Sequence, residues 1–196
     1  MPKVVPQYKE EAKERIIQAA LDVYAEKGPY EATMDDVAKK LGVSKGALYL
    51  YFKSKDELLY EIIKRPEQSV RRFLQSLLET KDLSKSLDDV LEHDIREPTE
   101  QRRNLIFDFM AEATRNPTIR KALSETYEAS LRTLMDFLTN TRTGSRLNTE
   151  EKRRKAISLL SLYVGILASS ALGANTSDLR DAWRQSIKAI LAKQTA

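Results

Sequence analysis

The polar side chains between Ser44 and Lys55 have the types and spacing that binding of a polyanion requires. This stretch contains Lys45, Lys53 and Lys55 and no acidic residue. Hydroxyl and ammonium groups donate hydrogen bonds to phosphates, and lysine and methyl groups also contact base edges in a DNA groove. The side chains predicted to face outward are those of Ser44, Lys45, Ala47, Tyr49 and Tyr51. The chemistry predicted here is recognition of a nucleic acid.

Composition argues against most catalytic chemistry. The chain has no cysteine, which excludes disulfides, thiolate metal sites and cysteine nucleophiles. The single histidine, His93, lies between Glu92 and Asp94, and adjacent helical residues do not face one another. We therefore interpret His93 as a solvated side chain rather than a metal ligand, and expect no metal, no cofactor and no enzymatic activity. A helical enzyme with an apolar cavity is kept as an alternative.

Two short helices are predicted to position these groups. The first begins at a capping-box-like run, Thr33-Met34-Asp35-Asp36, and ends at Gly42. Ser44 caps the second, which runs from Lys45 to Tyr51 and begins with small residues that permit close approach to DNA. A short turn containing glycine between two helices predicts a helix-turn-helix. A purely structural corner is the alternative.

The run Leu48-Tyr49-x-Tyr51-Phe52-x-Ser54-Lys55, with Thr33 to Ala38 and Leu41 to Ala47 before it, resembles the signature of TetR-family transcriptional regulators. The resemblance covers about residues 9–63. It implies a three-helix DNA-binding domain, followed by a helical domain that binds a small molecule and dimerises through its last two helices.

Eight positions match the DNA-contacting sites of that family: Thr33, Ser44, Lys45, Gly46, Ala47, Tyr49, Tyr51 and Lys55. By this resemblance, Tyr49 and Lys55 hold phosphates, while Lys45 and Ala47 face bases. Lys55 also stands at a predicted helix start, where free N–H groups favour phosphate. Two alternatives stay open: Thr33 serves only as a cap, and Tyr51 is a surface aromatic without a role in DNA binding.

The whole chain is predicted to be all-α. Its 196 residues include only six glycines and six prolines, which favours helices over strands. Net charge is +4, with eleven basic and eleven acidic residues before residue 65, so only a local basic stripe indicates nucleic acid. The N-terminus is polar and shows no signal peptide, so we expect a cytoplasmic protein. The predicted domains are residues 1–53, for DNA binding, and 54–196, for ligand binding and dimerisation.

Capping signals predict most of the helix boundaries. Gly28-Pro29 ends the first helix, and Ser54 with Glu57 forms a full capping box for the fourth. Three later helices begin at Asn116-Pro117, at Asn148 with Glu151, and at Asn175. A short amphipathic helix is predicted over Leu83 to Ile95. Pro66 either kinks a helix or begins a new one.

The last two helices are predicted to form a homodimer interface. Residues 156–174 carry no charge, so a membrane-tethered regulator is an alternative, but serines and glycines in this stretch favour a buried helix. The predicted interface residues are Gly165, Ala168, Trp183 and Ile187. The basic cluster at residues 152–155 is interpreted as a solvated face, with a phosphate-bearing ligand as the alternative.

An apolar or amphipathic effector, for example a fatty acyl chain or an aromatic drug, is predicted to bind among the central helices. The candidate ligand contacts are Phe73, Leu77, Phe107, Met110, Tyr127, Leu131, Met135, Tyr163 and Leu167. Phe107 lies off the apolar stripe of its helix, and core packing is the alternative role for the whole set. The complete hypothesis is a repressor that binds a palindromic double-stranded DNA operator as a dimer. The effector releases it by changing the tilt about Pro66.

Overall fold

The computed structural model describes residues 6–65, 85, 87–89, 91–92, 100–140 and 146–192, and within these ranges it contains helices and turns but no strand. We number the helices in chain order: α1 Pro6–Glu31, α2 Met34–Leu41, α3 Lys45–Tyr49, α4 Lys55–Lys64, α5 Glu100–Ala113, α6 Pro117–Thr139, α7 Thr149–Ala171 and α8 Thr176–Leu191. The predicted all-α fold is confirmed. Predictions were made for Pro66, Phe73, Leu77 and His93, which lie outside the described ranges, as does part of the helix predicted over Leu83 to Ile95.

The chain packs as two compact units. Of the described residues, 6–65 and 101–125 belong to the first unit, while 85, 87–89, 91–92, 100, 126–140 and 146–192 belong to the second. The first unit therefore combines α1–α4 with most of α5 and the first turns of α6. The domain boundary expected between residues 53 and 54 stays a prediction.

Apolar side chains of α1 form the centre of the first unit. Ile17, Ala20 and Tyr24 are buried on one face, and α2, α3 and α4 pack around it through residues such as Leu48 and Leu58. Gly28 adopts a left-handed φ of 76°, which breaks α1 near the predicted position. Helical structure resumes after this break and continues to Glu31. The chain then enters α2 at Met34, with Thr33 as the N-cap.

The predicted caps are present at most helix starts. Thr33 with Asp36 and Asn148 with Glu151 both form complete capping boxes, and Asn175 accepts from two backbone N–H groups. The box predicted at Ser54 is only half formed. The Ser54 hydroxyl accepts from the Glu57 N–H at 3.1 Å, but the Glu57 carboxylate accepts from the N–H of Lys53 instead of that of Ser54.

The second unit has a separate core, centred on the single tryptophan, Trp183 of α8. Leu131 of α6 and Leu159 of α7 are buried in the same cluster, as is Leu91. Two ion pairs join the segment around Leu91 to α8: Arg184 contacts Asp88 at 3.1 Å, and Arg180 contacts Glu92 at 2.6 Å. The unit is therefore held by an apolar centre and a charged rim.

The membrane-tethered alternative depends on residues 156–174, most of which form α7. Over the described ranges, no helix is long and apolar enough to cross a membrane.

Candidate nucleic-acid interface

Helices α2 and α3 meet at a tight turn that is fixed by backbone hydrogen bonds. Gly42 has a left-handed φ of 70°, and its N–H donates to the carbonyl of Lys39. The next N–H, of Val43, donates to the carbonyl of Ala38 at 3.1 Å. This closure reverses the chain in very few residues, because glycine adopts positive φ without steric cost. The turn of the predicted helix-turn-helix is therefore formed by the positive φ of Gly42 and by these two backbone hydrogen bonds.

The inner faces of the two helices anchor this motif to the core. Val37 and Ala38 of α2 are buried, as are Leu48 of α3 and Phe52 just beyond it. Ser44, Lys45 and Gly46 are exposed at the N-terminal end of α3. A buried inner face and a polar outer face are the pattern expected of a recognition helix.

Two predicted DNA contacts also serve as caps. The Ser44 hydroxyl accepts from the N–H of Ala47 at 3.3 Å. The Thr33 hydroxyl accepts from the N–H of Asp36 at 3.2 Å and donates to its carboxylate at 2.7 Å. Both side chains are exposed and still have acceptor capacity. Their proposed phosphate contacts stay predictions.

The ammonium of Lys45 is paired in the free protein. It donates to the carboxylate of Asp35 at 3.0 Å, and both side chains are about half exposed. This hydrogen bond, together with the negative charge of Asp35, raises the pKa of Lys45. Asp35 was missed by sequence reasoning, because no local signal links two residues that lie ten positions apart in two different helices.

Lys55 holds the start of α4 against the end of α1. Its ammonium donates to the backbone carbonyl of Tyr30 at 2.8 Å. Partial burial lowers the pKa of Lys55, while the charges of Glu112 and Asp56 oppose that shift. An ammonium has three donors, so a predicted phosphate contact is compatible with this bond. Lys55 therefore has a structural role beside the predicted one.

The aromatic side chains of the motif differ in exposure. Tyr49 is 43% exposed, as its predicted phosphate contact requires. Tyr51 is partly buried against the core, so only part of its ring is accessible. Leu50 is 78% exposed although it is apolar, and it lies directly between them. Leu50 lies out of phase with the buried Leu48 and Phe52, and this spacing could have identified it in the sequence as an exposed apolar residue. All eight DNA-contact assignments remain predictions.

The predicted ligand contacts within the described residues have unequal exposure. In the first unit, Phe107 is half-buried and Met110 is exposed. In the second unit, Leu131 and Leu167 are buried, Met135 and Tyr163 are half-buried, and Tyr127 is exposed. The Tyr163 ring lies edge-on to Trp183, with centroids 6.4 Å apart. These assignments also stay predictions.

The predicted dimer residues divide into two groups. Gly165 is exposed, and a Cβ added there meets no atom within 4 Å, while Ala168 is half-buried. Trp183 and Ile187 are buried within a single chain, at 1% and 2% exposure. Their burial therefore needs no partner, and the predicted close approach of a second chain depends on α7 around Gly165.

The basic cluster at the start of α7 is largely paired within the protein. Arg153 donates two hydrogen bonds to Glu128, at 3.2 and 2.9 Å, and Arg154 pairs with Glu150 at 2.5 Å. Lys155 donates to the carbonyls of Ile190 and Ala192, at the end of α8. These pairings favour a structural role for the cluster over a phosphate-bearing ligand. Within the described ranges, no group of three or more potential ligands could hold a metal ion.

Two family models match the chain. The model for bacterial regulatory proteins of the tetR family matches residues 16–62, which include α2, α3 and most of α4. The model for the C-terminal part of BetI-type transcriptional repressors matches residues 79–195. Together they cover both units described above.

Curated relatives are also similar to parts of the chain. The HTH-type transcriptional regulator YfiR of Bacillus subtilis is 30% identical over 130 residues, 65% of this chain and 63% of YfiR. The HTH-type transcriptional activator FasR of Mycolicibacterium smegmatis is 29% identical over 161 residues, 80% of this chain and 70% of FasR. The chain spans less than two thirds of the length of the first such relatives, and only 25% of SrpR from Pseudomonas putida.

Solved structures share the fold over nearly the whole chain. A TetR-family regulator from Rhodococcus sp. superimposes with a TM-score of 0.79 at 19% identity, covering 93% of this chain and 100% of that one. A transcriptional regulator from Saccharomonospora viridis, in complex with choline, gives 0.70 at 23% identity and covers 93% and 96%. The multidrug binding protein EbrR, complexed with proflavin, gives 0.64 at 21% identity and covers 91% and 98%. At these identities the likeness concerns the fold alone.

Proposed function

The chain belongs to the TetR family of bacterial regulatory proteins, and from this premise we propose that it is a ligand-responsive transcriptional repressor. It acts as a homodimer in the cytoplasm and binds a roughly palindromic DNA operator. The observation that carries the proposal is the α2–α3 motif. Its inner face is anchored by buried side chains such as Val37 and Leu48, and its outer face presents Lys45 and Tyr49. Family members are regulators rather than enzymes, so catalysis forms no part of the proposal.

Each protomer offers one α3 to a major groove. In a two-fold dimer, the half-sites then lie about 34 Å apart, or a multiple of that distance. Cations that contact phosphates release counterions, so affinity falls steeply as salt rises. A footprint on an operator, measured at several salt concentrations, tests both statements. Affinity independent of salt, or no footprint on duplex selected from a random-sequence pool, would refute the proposal.

Variants separate the phosphate contacts from base recognition. Tyr49→Phe and Lys55→Ala weaken binding to all duplexes alike, whereas Lys45→Ala also relaxes sequence preference. Because Lys55 also bonds the Tyr30 carbonyl, its variant requires a thermal melt beside the binding assay. Tyr49→Phe tests the phosphate contact with less effect on the fold, since it removes only a hydroxyl from an exposed side chain and leaves the buried Leu48 in place.

Repression rather than activation is supported by the BetI-type repressor model over residues 79–195. Activation is the second candidate, because FasR is an activator. A reporter placed behind the selected operator distinguishes them: repression predicts higher expression when the regulator is deleted, and activation predicts lower expression.

The effector is a small apolar or amphipathic molecule that binds the second unit and lowers DNA affinity. Partly buried Met135 and Tyr163 pack against the same core as Leu131 and offer apolar and aromatic surface there, and Leu167 of α7 is buried as well. The relatives solved with choline and with proflavin both hold small organic ligands. The test titrates fatty acids and aromatic cations into the operator complex of the parent chain and of Met135→Ala. Identical responses of the two proteins would contradict a ligand site at Met135. No response to any compound would contradict the proposed class of effector.

A further inference from the structure

Asp35 and Lys45 form a bridge across the turn of the helix-turn-helix. Asp35 lies in the first turn of α2, Lys45 is the first residue of α3, and their charged atoms are 3.0 Å apart. Both side chains are about half exposed, so the pair is accessible to a ligand from solvent. A carboxylate at this position opposes the binding of a polyanion, which sets it apart from the surrounding predicted phosphate contacts.

The pair changes what α3 presents to DNA. Lys45 is the only charged residue of α3, and Asp35 neutralises it. A free ammonium would bind any phosphate within reach, irrespective of sequence. A neutral pair gains little binding energy from phosphates, so it adds little to the affinity for DNA of arbitrary sequence. Lys45 then stays available for hydrogen bonds to base edges.

We propose that Asp35 and Lys45 together recognise one G·C base pair in the major groove, which makes Asp35 a specificity-determining residue. This inference rests on the proposed DNA-binding function. Guanine presents two acceptors in the groove, N7 and O6, and the paired cytosine presents its N4 amino group as a donor. The ammonium has two donors left after bonding Asp35, and the carboxylate has further acceptor sites. Donor and acceptor therefore lie side by side in the protein, as they do in the base pair.

A merely structural role for this pair predicts different behaviour. Exposed ion pairs contribute little to folding stability, so the melting temperature does not separate the two roles. Base preference does separate them. If Asp35 only supports the helix, its replacement leaves the preferred sequence unchanged.

The test measures base preference at every operator position by selection from a random-sequence pool. It uses the full-length parent, Asp35→Ala, Lys45→Ala and the double variant. Both single variants are expected to lose about tenfold discrimination for G·C at the same position of each half-site, because one good contact pair contributes about that much. The double variant loses no more than either single one. On a random duplex, Asp35→Ala steepens the slope of log affinity against log salt by about 0.9, because the released ammonium of Lys45 then contacts one more phosphate. In the double variant, which lacks Lys45, the slope does not steepen.

Glu26→Ala is the matched control. Glu26 pairs with Lys40 at 3.0 Å, with exposure close to that of the Asp35–Lys45 pair, and its replacement should leave base preference unchanged. The inference is overturned if Asp35→Ala keeps the parental preference, if the two single variants relax different positions, or if Glu26→Ala relaxes the same one. A parent chain that selects no duplex contradicts the proposed function itself, which distinguishes that failure from these.

Discussion

Asn116 connects the turn between α5 and α6 to the start of α4. Its side-chain carbonyl accepts from the N–H groups of Thr118 and Ile119, at 3.0 and 3.3 Å. Its amide donates to the carboxylate of Asp56 at 3.0 Å, sixty residues away in sequence. Replacing Asn116 by alanine removes both interactions at once and should destabilise the first unit.

The two contributions can be estimated separately. Loss of an N-cap costs about 1 kcal/mol. The bond from Asn116 to Asp56 has a carboxylate acceptor, but Asp56 is partly exposed to water. We therefore assign this bond about 1 kcal/mol of the free energy of unfolding. Asn116→Ala is therefore expected to lower the free energy of unfolding by about 2 kcal/mol. Asn116→Ser keeps a good cap and loses only the bond to Asp56, so it should lose about half as much.

The assay is urea unfolding followed by far-ultraviolet circular dichroism, at one fixed protein concentration. The fluorescence of Trp183 provides a second signal, because the only tryptophan of the chain reports on the second unit. Equal losses for the alanine and serine variants would refute the contribution of the cap. A serine variant as stable as the parent would refute the contribution of the bond to Asp56.

Three further expectations concern the core of the second unit, the cap of α2 and the end of α8. Trp183→Ala should destabilise the second unit by about 3–5 kcal/mol, measured by the urea midpoint in circular dichroism, because it leaves a large cavity in a fully buried site. Hydrogen bonds from Lys27 and Thr33 hold the pKa of Asp36 well below its usual range. The ionised carboxylate therefore stabilises the folded protein fully above the unfolded pKa of about 3.9, and this stabilisation is lost as pH falls below that value. The fall of the urea midpoint in acid should be smaller in Asp36→Asn. Lys155→Met should speed amide hydrogen exchange in the last turn of α8, because it removes the donor to the Ile190 carbonyl; unchanged exchange there would contradict this role.

Helix boundaries were largely predictable from the sequence, because caps are local. Thr33 and Asp36 are three residues apart, so their reciprocal bonds can be inferred from residue types alone. Gly28 and Gly42 likewise mark breaks through their own backbone freedom. The error at Ser54 has a similarly local cause: the Glu57 carboxylate bonds the N–H one residue earlier than the motif specifies. Residue types specify a motif, but side-chain placement decides which N–H group is bound.

The contacts that modify the site were decided by tertiary structure. The pairing of Asp35 with Lys45 depends on how α2 and α3 meet, and the bond from Lys55 to the Tyr30 carbonyl joins residues 25 positions apart. The burial of Trp183 within its own chain likewise follows from the packing of its unit. Periodicity identifies an apolar face but not the surface that covers it. The helices, most of their caps and the helix-turn-helix were therefore predictable from the sequence, since these depend on neighbouring residues. The partners of each charged or apolar side chain were decided only by the folded chain.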